Sequence, residues 1–223
     1  MILTGLLCGV LLGFVMQRGR FCLTGGFRDM YIAKDNRMFY ALLVAIAVQA
    51  VGVYALISAG VFEYNAGTFS PIAVIVGAFI FGIGIILAGG CATGTWYRAG
   101  EGLIGSWIAL ATYMLMAAMM RTGPLADMTA QFTGVQFENN SMAATFNVSA
   151  WVLIIPFVVL VATIVYTQLK KPKVKIPGLK PKKTGLAHIL FEKRWNPYVT
   201  ALLIGLIATL AWPLSAATGR IFG

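Results

Sequence analysis

The chain has 223 residues, 59% of them hydrophobic and only 11% charged, with a formal net charge of +10. A soluble domain carries roughly a quarter charged residues, so the composition excludes an ordinary soluble fold and points to a membrane protein. The basic surplus does not indicate nucleic acid, because it is gathered into two stretches between apolar runs.

Residues 1–17 carry no charge and are just long enough to cross a bilayer as a helix. No basic stretch precedes this run and no small-residue cleavage site follows it, so a retained helix is expected. Residues 18–37 hold Arg18, Arg20, Arg28, Lys34 and Arg37, with the run "GRFCLTGGFRD" among them. A second span is predicted over 38–60, and residues 61–70 after it contain no Lys or Arg. A third covers 71–88 and leads into "GGCATGTWYRAGE" at residues 89–101. The fourth is expected at 102–120. The connection over 121–148 has Arg121 as its only basic residue. The fifth span is predicted over 149–169 and the sixth over 198–215. The loop between them, residues 170–197, holds nine of the seventeen Lys and Arg residues.

Backbone amides in hydrocarbon must be satisfied within the segment, so helices are the default. No alternating ten-residue pattern suggests a barrel. The expected fold is an all-α membrane protein, a single membrane domain over residues 1–223 with about six transmembrane helices. Lys and Arg concentrate on the cytoplasmic side. With the 170–197 loop inside, the 121–148 loop falls in the periplasm, residues 18–37 inside, and the amino terminus in the periplasm. Every basic cluster then shares one side. Contact with anionic membrane lipid is the default role of the basic loop. Within it "GLAHILFEKRW" (185–195) is expected to form a short interfacial helix, with His188 at the surface.

The cysteine motifs repeat. Cys22-Leu-Thr24-Gly25 and Cys91-Ala-Thr93-Gly94 lie 69 residues apart, and each is followed by an aromatic residue, an arginine and an acid. These are Phe27, Arg28 and Asp29 in the first, and Tyr97, Arg98 and Glu101 in the second. Unit A spans 1–60 and unit B 71–120, pointing the same way, as an internal parallel repeat. Repeats with irregular elements at membrane depth belong to transporters. Residues 89–101 carry only two charges and include Trp96 and Tyr97. A re-entrant element therefore fits better than a solvent turn, since such backbone is tolerated where protein or a cavity surrounds it.

The chemistry of these elements suits a small anion carrying a polarisable sulfur. Thr24 and Thr93 offer O–H donors, and amides near Gly25, Gly90 and Gly94 can form an anion-binding nest. The amino end of a short helix adds partial positive charge. Cys22 and Cys91 are soft, weakly hydrogen-bonding thiols. Arg28 and Arg98 are either snorkelling anchors or attractors of the anion, with Asp29 and Glu101 as their simplest partners. Cys8 reads as a small hydrophobe inside the first helix. Three cysteines without a CxxC make no disulfide framework, and no metal site or cofactor is expected.

The runs "GFVMQRGRFCLTGGFRDMY", "LAGGCATGTWYRAGEGLIGSW" and "GLAHILFEKRW" closely resemble the bacterial YeeE/YedE family, over essentially the whole chain. The resemblance implies an inner-membrane importer of thiosulfate, not an enzyme, with a helical fold whose cysteine-bearing elements meet near the centre. It implies that thiosulfate is handed along cysteines through S–H···S contacts without covalent chemistry, Cys22 and Cys91 matching two of them. It also implies a small TusA-like sulfur-carrier partner on the cytoplasmic side. The family carries a third motif of the kind Gly-Gly-Cys-x-x-Gly-Asn in its last third. Nothing here corresponds to it, so a truncated chain is expected. Two other readings stay open: a membrane thiol oxidoreductase with Cys22 and Cys91 as a redox pair, and, from the resemblance, a non-transporting subunit lacking the third motif.

Overall fold

The computed structural model describes residues 2–61, 70–136, 149–170 and 195–216, which form nine helices and, among the described residues, no strand. Six segments are long and apolar enough to cross a membrane: Thr4–Ile32, Arg37–Ser58, Pro71–Gly100, Ile104–Thr122, Ala150–Leu169 and Pro197–Leu214. The all-helical, six-span expectation holds. The basic loop's residues 171–194, with His188 and most of the expected interfacial helix, lie outside the described residues.

The chain divides into two compact units, one made of Met1–Tyr64 with Ala150–Gly223 and the other of Asn65–Ser149. The first contains α1 (Ile2–Gly19), α2 (Leu23–Tyr31), α3 (Arg37–Ser58), α8 (Ala150–Leu169) and α9 (Pro197–Ala216). Helix α3 is its centre, packing against α2, α8 and most extensively α9, which also packs on α1. The core gathers Met16, Phe21, Met38, Ala41, Ala45 and Ala201. Its small residues let backbones approach. Ala41 and Ala201 are fully buried, and an ideal Cβ at Gly205 would stand 2.9 Å from Val48 Cβ. Close approach of this kind replaces the missing hydrophobic drive between helices in lipid.

Helix α9 starts on good local chemistry. Asn196 Oδ1 accepts from the Tyr198 amide at 3.1 Å, and Pro197 follows at the first helical position, where its lack of an N–H costs nothing. Pro156 and Pro213 lie inside α8 and α9, a placement that membrane helices tolerate because neighbouring groups re-satisfy the freed carbonyl.

The second unit contains α4 (Pro71–Leu87), α5 (Ala92–Gly100), α6 (Ile104–Thr122) and α7 (Ala126–Thr133). Helix α5 packs on α6, and α7 packs on α6 and α4. Ser70 Oγ donates to the Thr133 carbonyl at 3.2 Å, tying the start of α4 to the end of α7. No residue of α4 is buried, as suits a helix whose solvent is hydrocarbon. Helix α7 departs from the expected loop over 121–148. Asp127 occupies its first turn, favourable at the positive end of a helix, and Leu125, Met128 and Phe132 recur at helical spacing.

Candidate functional site

Both cysteine motifs take one local form. Helix α1 stops at Gly19, and the chain turns at Arg20, which adopts φ 47°. The Phe21 amide donates to the Met16 carbonyl at 3.1 Å and the Arg20 amide to Gln17 at 3.2 Å, closing the helix in a left-handed cap. Cys22 follows in extended conformation, φ −144° and ψ 124°, as the N-cap of the nine-residue α2. In the second unit α4 ends at Leu87, and Gly89 turns the chain at φ 68°. Cys91, at φ −70° and ψ 158°, is the N-cap of the nine-residue α5. The two turn residues, the two caps and both ends of the two short helices are each 69 positions apart.

Glycine serves the second turn directly, since φ > 0 is free for it. In the first turn the glycine sits one residue early, inside α1. An ideal Cβ at Gly19 would collide with the Thr200 side chain, so packing of α1 on α9 requires Gly19 and leaves Arg20 to take the left-handed conformation.

Both thiols are buried, Cys22 at 8% exposure and Cys91 at 6%, and none of the three cysteines is in a disulfide. Cys8 is partly buried on α1. The Gly94 amide donates to Cys91 Sγ at 3.3 Å. Cys22 Sγ makes no corresponding capping bond on α2. An ideal Cβ at Gly25 would lie 3.5 Å from Cys22 Cβ and 3.9 Å from its sulfur, so the absent side chain leaves that flank of the thiol open. A narrow cleft beside Cys22 is lined by Phe21, Gly26, Met38 and Phe39.

The remaining candidates separate. Thr24 is partly buried, with Oγ1 shut away from solvent, whereas Thr93 is exposed. The buried hydroxyl of α5 belongs to Thr95, whose Oγ1 donates to the Cys91 carbonyl at 2.9 Å. Sequence reasoning missed it, although a threonine four residues after a helix cap is placed for that bond. The two arginines also differ. Arg28 pairs with Asp29 at 2.9 Å on an exposed face. Arg98 reaches back, and its Nη1 donates to the Gly89 carbonyl at 2.9 Å. An ideal Cβ at Gly90 would sit 3.1 Å from that nitrogen. Arg98 therefore locks the turn before Cys91, a partner the acid-pair expectation did not anticipate. Within the first unit Cys22, Gly25 and the cleft residues come together; within the second, Cys91, Gly94 and Thr95 do. Gly26 was missed as well: it is buried, and a Cβ there would lie 3.4 Å from Met38 Cγ.

Chemically, each motif sets a soft sulfur at the amino end of a helix, where unpaired amides and the helix dipole favour negative charge. Among the described residues no group of three or more His, Cys, Asp or Glu could hold a metal ion.

The six apolar helices and paired motifs define a multi-pass membrane protein with two short helices that each start from a buried cysteine. The model of the sulphur transport family matches residues 18–223, and the chain belongs to that family. It is 65% identical over 223 residues to the thiosulfate transporter TsuA of Escherichia coli (strain K12), covering 100% of this chain and 63% of that protein. Similarity to the thiosulfate transporter TsuA of Spirochaeta thermophila is 30% identity over 236 residues, covering 100% of this chain and 66% of the relative. A probable transporter, YedE of Escherichia coli, is 42% identical over 102 residues, 46% of this chain and 25% of its own. The chain thus spans a little under two thirds of the length of the two relatives it matches throughout.

Proposed function

We propose that this chain carries thiosulfate inward across the bacterial inner membrane, along a path that includes Cys22 and Cys91. The observation that carries the reading is the shared form of the two motifs: a buried cysteine, reached through a left-handed turn, at the N-cap position of a nine-residue helix. Kinship with two proteins named thiosulfate transporters supports it over the oxidoreductase reading.

Thiosulfate presents a terminal sulfur and sulfonate oxygens. A thiol S–H meets the sulfur as a weak donor, and helix amino ends offset the charge. Thr24 and Thr93 donate to the oxygens. Gly25 leaves the Cys22 sulfur approachable, the Gly94 amide orients the Cys91 sulfur, and Gly90 with Arg98 holds the second turn. Arg28 attracts the anion electrostatically. No covalent bond to the substrate forms. Nine helical residues rise about 13 Å, less than half the hydrocarbon core of about 30 Å. Helices α2 and α5 are accordingly the two re-entrant elements of this reading, within parallel repeat units 1–60 and 71–120.

The charge distribution supports a periplasmic amino terminus and a cytoplasmic 170–197 loop. A small TusA-like sulfur-carrier protein on that side is the partner this reading expects. The test is uptake of radiolabelled thiosulfate in cells without another route. Saturable uptake that Cys91→Ala lowers at least about ten-fold is expected, the loss of a contact to a charged group being of that size. No uptake by the unaltered chain overturns the reading.

A further inference from the structure

Two side-chain hydroxyls in the first unit are shut away from solvent with no hydrogen-bond partner among the described residues: Thr24 Oγ1 and Tyr198 OH. Buried polar groups without partners are costly, and native proteins keep few of them. Other buried hydroxyls do find partners. Thr95 Oγ1 donates to the Cys91 carbonyl, and Thr200 Oγ1 to the Asn196 carbonyl at 3.1 Å.

Tyr198 lies in the first turn of α9 and packs on the core that contains Phe21 and Met38. These same two residues line the cleft beside Cys22. The polar groups near enough to act on Tyr198 electrostatically are Arg37, Asp35 and Tyr40. None of them hydrogen-bonds to its hydroxyl; Arg37 Nε stands 3.8 Å from Asp35 Oδ1, and Asn36 Nδ2 donates to Tyr40 OH at 3.5 Å. A phenylalanine would fill the place of Tyr198 without a polar atom to satisfy, so the hydroxyl is surplus to packing.

We propose that Tyr198 is a further substrate contact, its phenol donating to an oxygen of the anion at the Cys22 end of the path, with the Thr24 hydroxyl as a second donor. The proposal rests on the reading of this chain as a thiosulfate path. A neutral donor suits that role, because conduction needs binding strong enough to admit the anion and weak enough to release it. Arg37 and Asp35 act on Tyr198 in opposite senses, so the phenol is a neutral donor beside a paired charge.

The experiment compares unaltered chain, Tyr198→Phe and Thr24→Val for labelled thiosulfate uptake in cells and for the thermal midpoint of the purified protein. For Tyr198→Phe the half-saturation concentration should rise about ten-fold or more, the loss of one hydrogen bond to a charged group, while the midpoint stays level or rises. Thr24→Val should follow the same pattern. An unchanged half-saturation concentration for Tyr198→Phe overturns the proposal. So does a lowered midpoint, which would give the hydroxyl a structural partner. Absence of uptake by the unaltered chain sinks the transport reading and this proposal together, whereas normal uptake by Tyr198→Phe sinks this one alone.

Discussion

The Gly94 amide donates to Cys91 Sγ at 3.3 Å, so the thiol assigned to the path also closes the first turn of the helix that carries it. Capping and transport can be separated by substitution. Cys91→Ser keeps an acceptor at a position where serine caps well, but removes the soft sulfur. Its thermal midpoint should equal or exceed that of the unaltered protein, while uptake falls. Cys91→Ala loses both roles and about 0.5–2 kcal/mol of stability. Uptake by the serine variant at the unaltered rate would show that oxygen serves as well as sulfur.

Gly25 offers a finer probe. An alanine Cβ there would make ordinary contacts at 3.5 Å and 3.9 Å with Cys22, and alanine is favoured over glycine in a helix by about 1 kcal/mol. Gly25→Ala should therefore fold as well as the unaltered chain or better, yet transport more slowly because the methyl crowds the sulfur. Calorimetry and initial uptake rates check the two halves. Equal rates would remove Gly25 from the path.

The two left-handed turns predict opposite effects of glycine. Arg20 adopts φ 47° where Gly89 adopts φ 68°. Arg20→Gly should raise stability by about 1 kcal/mol, and Gly89→Ala should lower it by a similar amount, the cost of a Cβ in that region. Paired thermal scans at one heating rate measure the difference.

Gly19 and Thr200 should be energetically coupled. A Cβ at Gly19 would meet Thr200 Cγ2 and Oγ1, so Gly19→Ala is expected to cost about 1–3 kcal/mol by overpacking. Adding Thr200→Ala should recover part of that loss, since it removes two of the colliding atoms. A double-mutant cycle with no interaction energy would contradict the contact.

Transport without covalent chemistry predicts that the cysteines stay reduced during turnover, as none of the three is in a disulfide in the structure. Rapid acid quenching and thiol alkylation during uptake should tag Cys22 and Cys91 in full. A Cys22–Cys91 disulfide that came and went with substrate would replace the transport reading with thiol–disulfide exchange.

The spans were legible because a run of about twenty uncharged apolar residues has one way to satisfy its amides in lipid. Each expected boundary lies within two or three residues of a helix end in the structure. The motifs themselves were legible too, since Cys22 and Cys91 stand in matching residues 69 apart. Helix α7 was hidden by its eight residues, too few for periodicity to outweigh the polar residues around it.

Which faces matter was decided in three dimensions. Thr93 and Thr95 are two residues apart on one short helix, yet only Thr95 is buried, with its hydroxyl on the Cys91 carbonyl. Arg98 has an acid three residues on, yet the turn at Gly89 brings a carbonyl to its guanidinium. Tyr198 lies far along the chain from Cys22, and only the packing of α9 against α3 and α1 sets it on the core that borders the cleft. Solvent preference acts on each residue alone and can be read in order along a chain. Contacts depend on which helices meet and at what rotation, and that follows from the shapes of all the facing side chains at once.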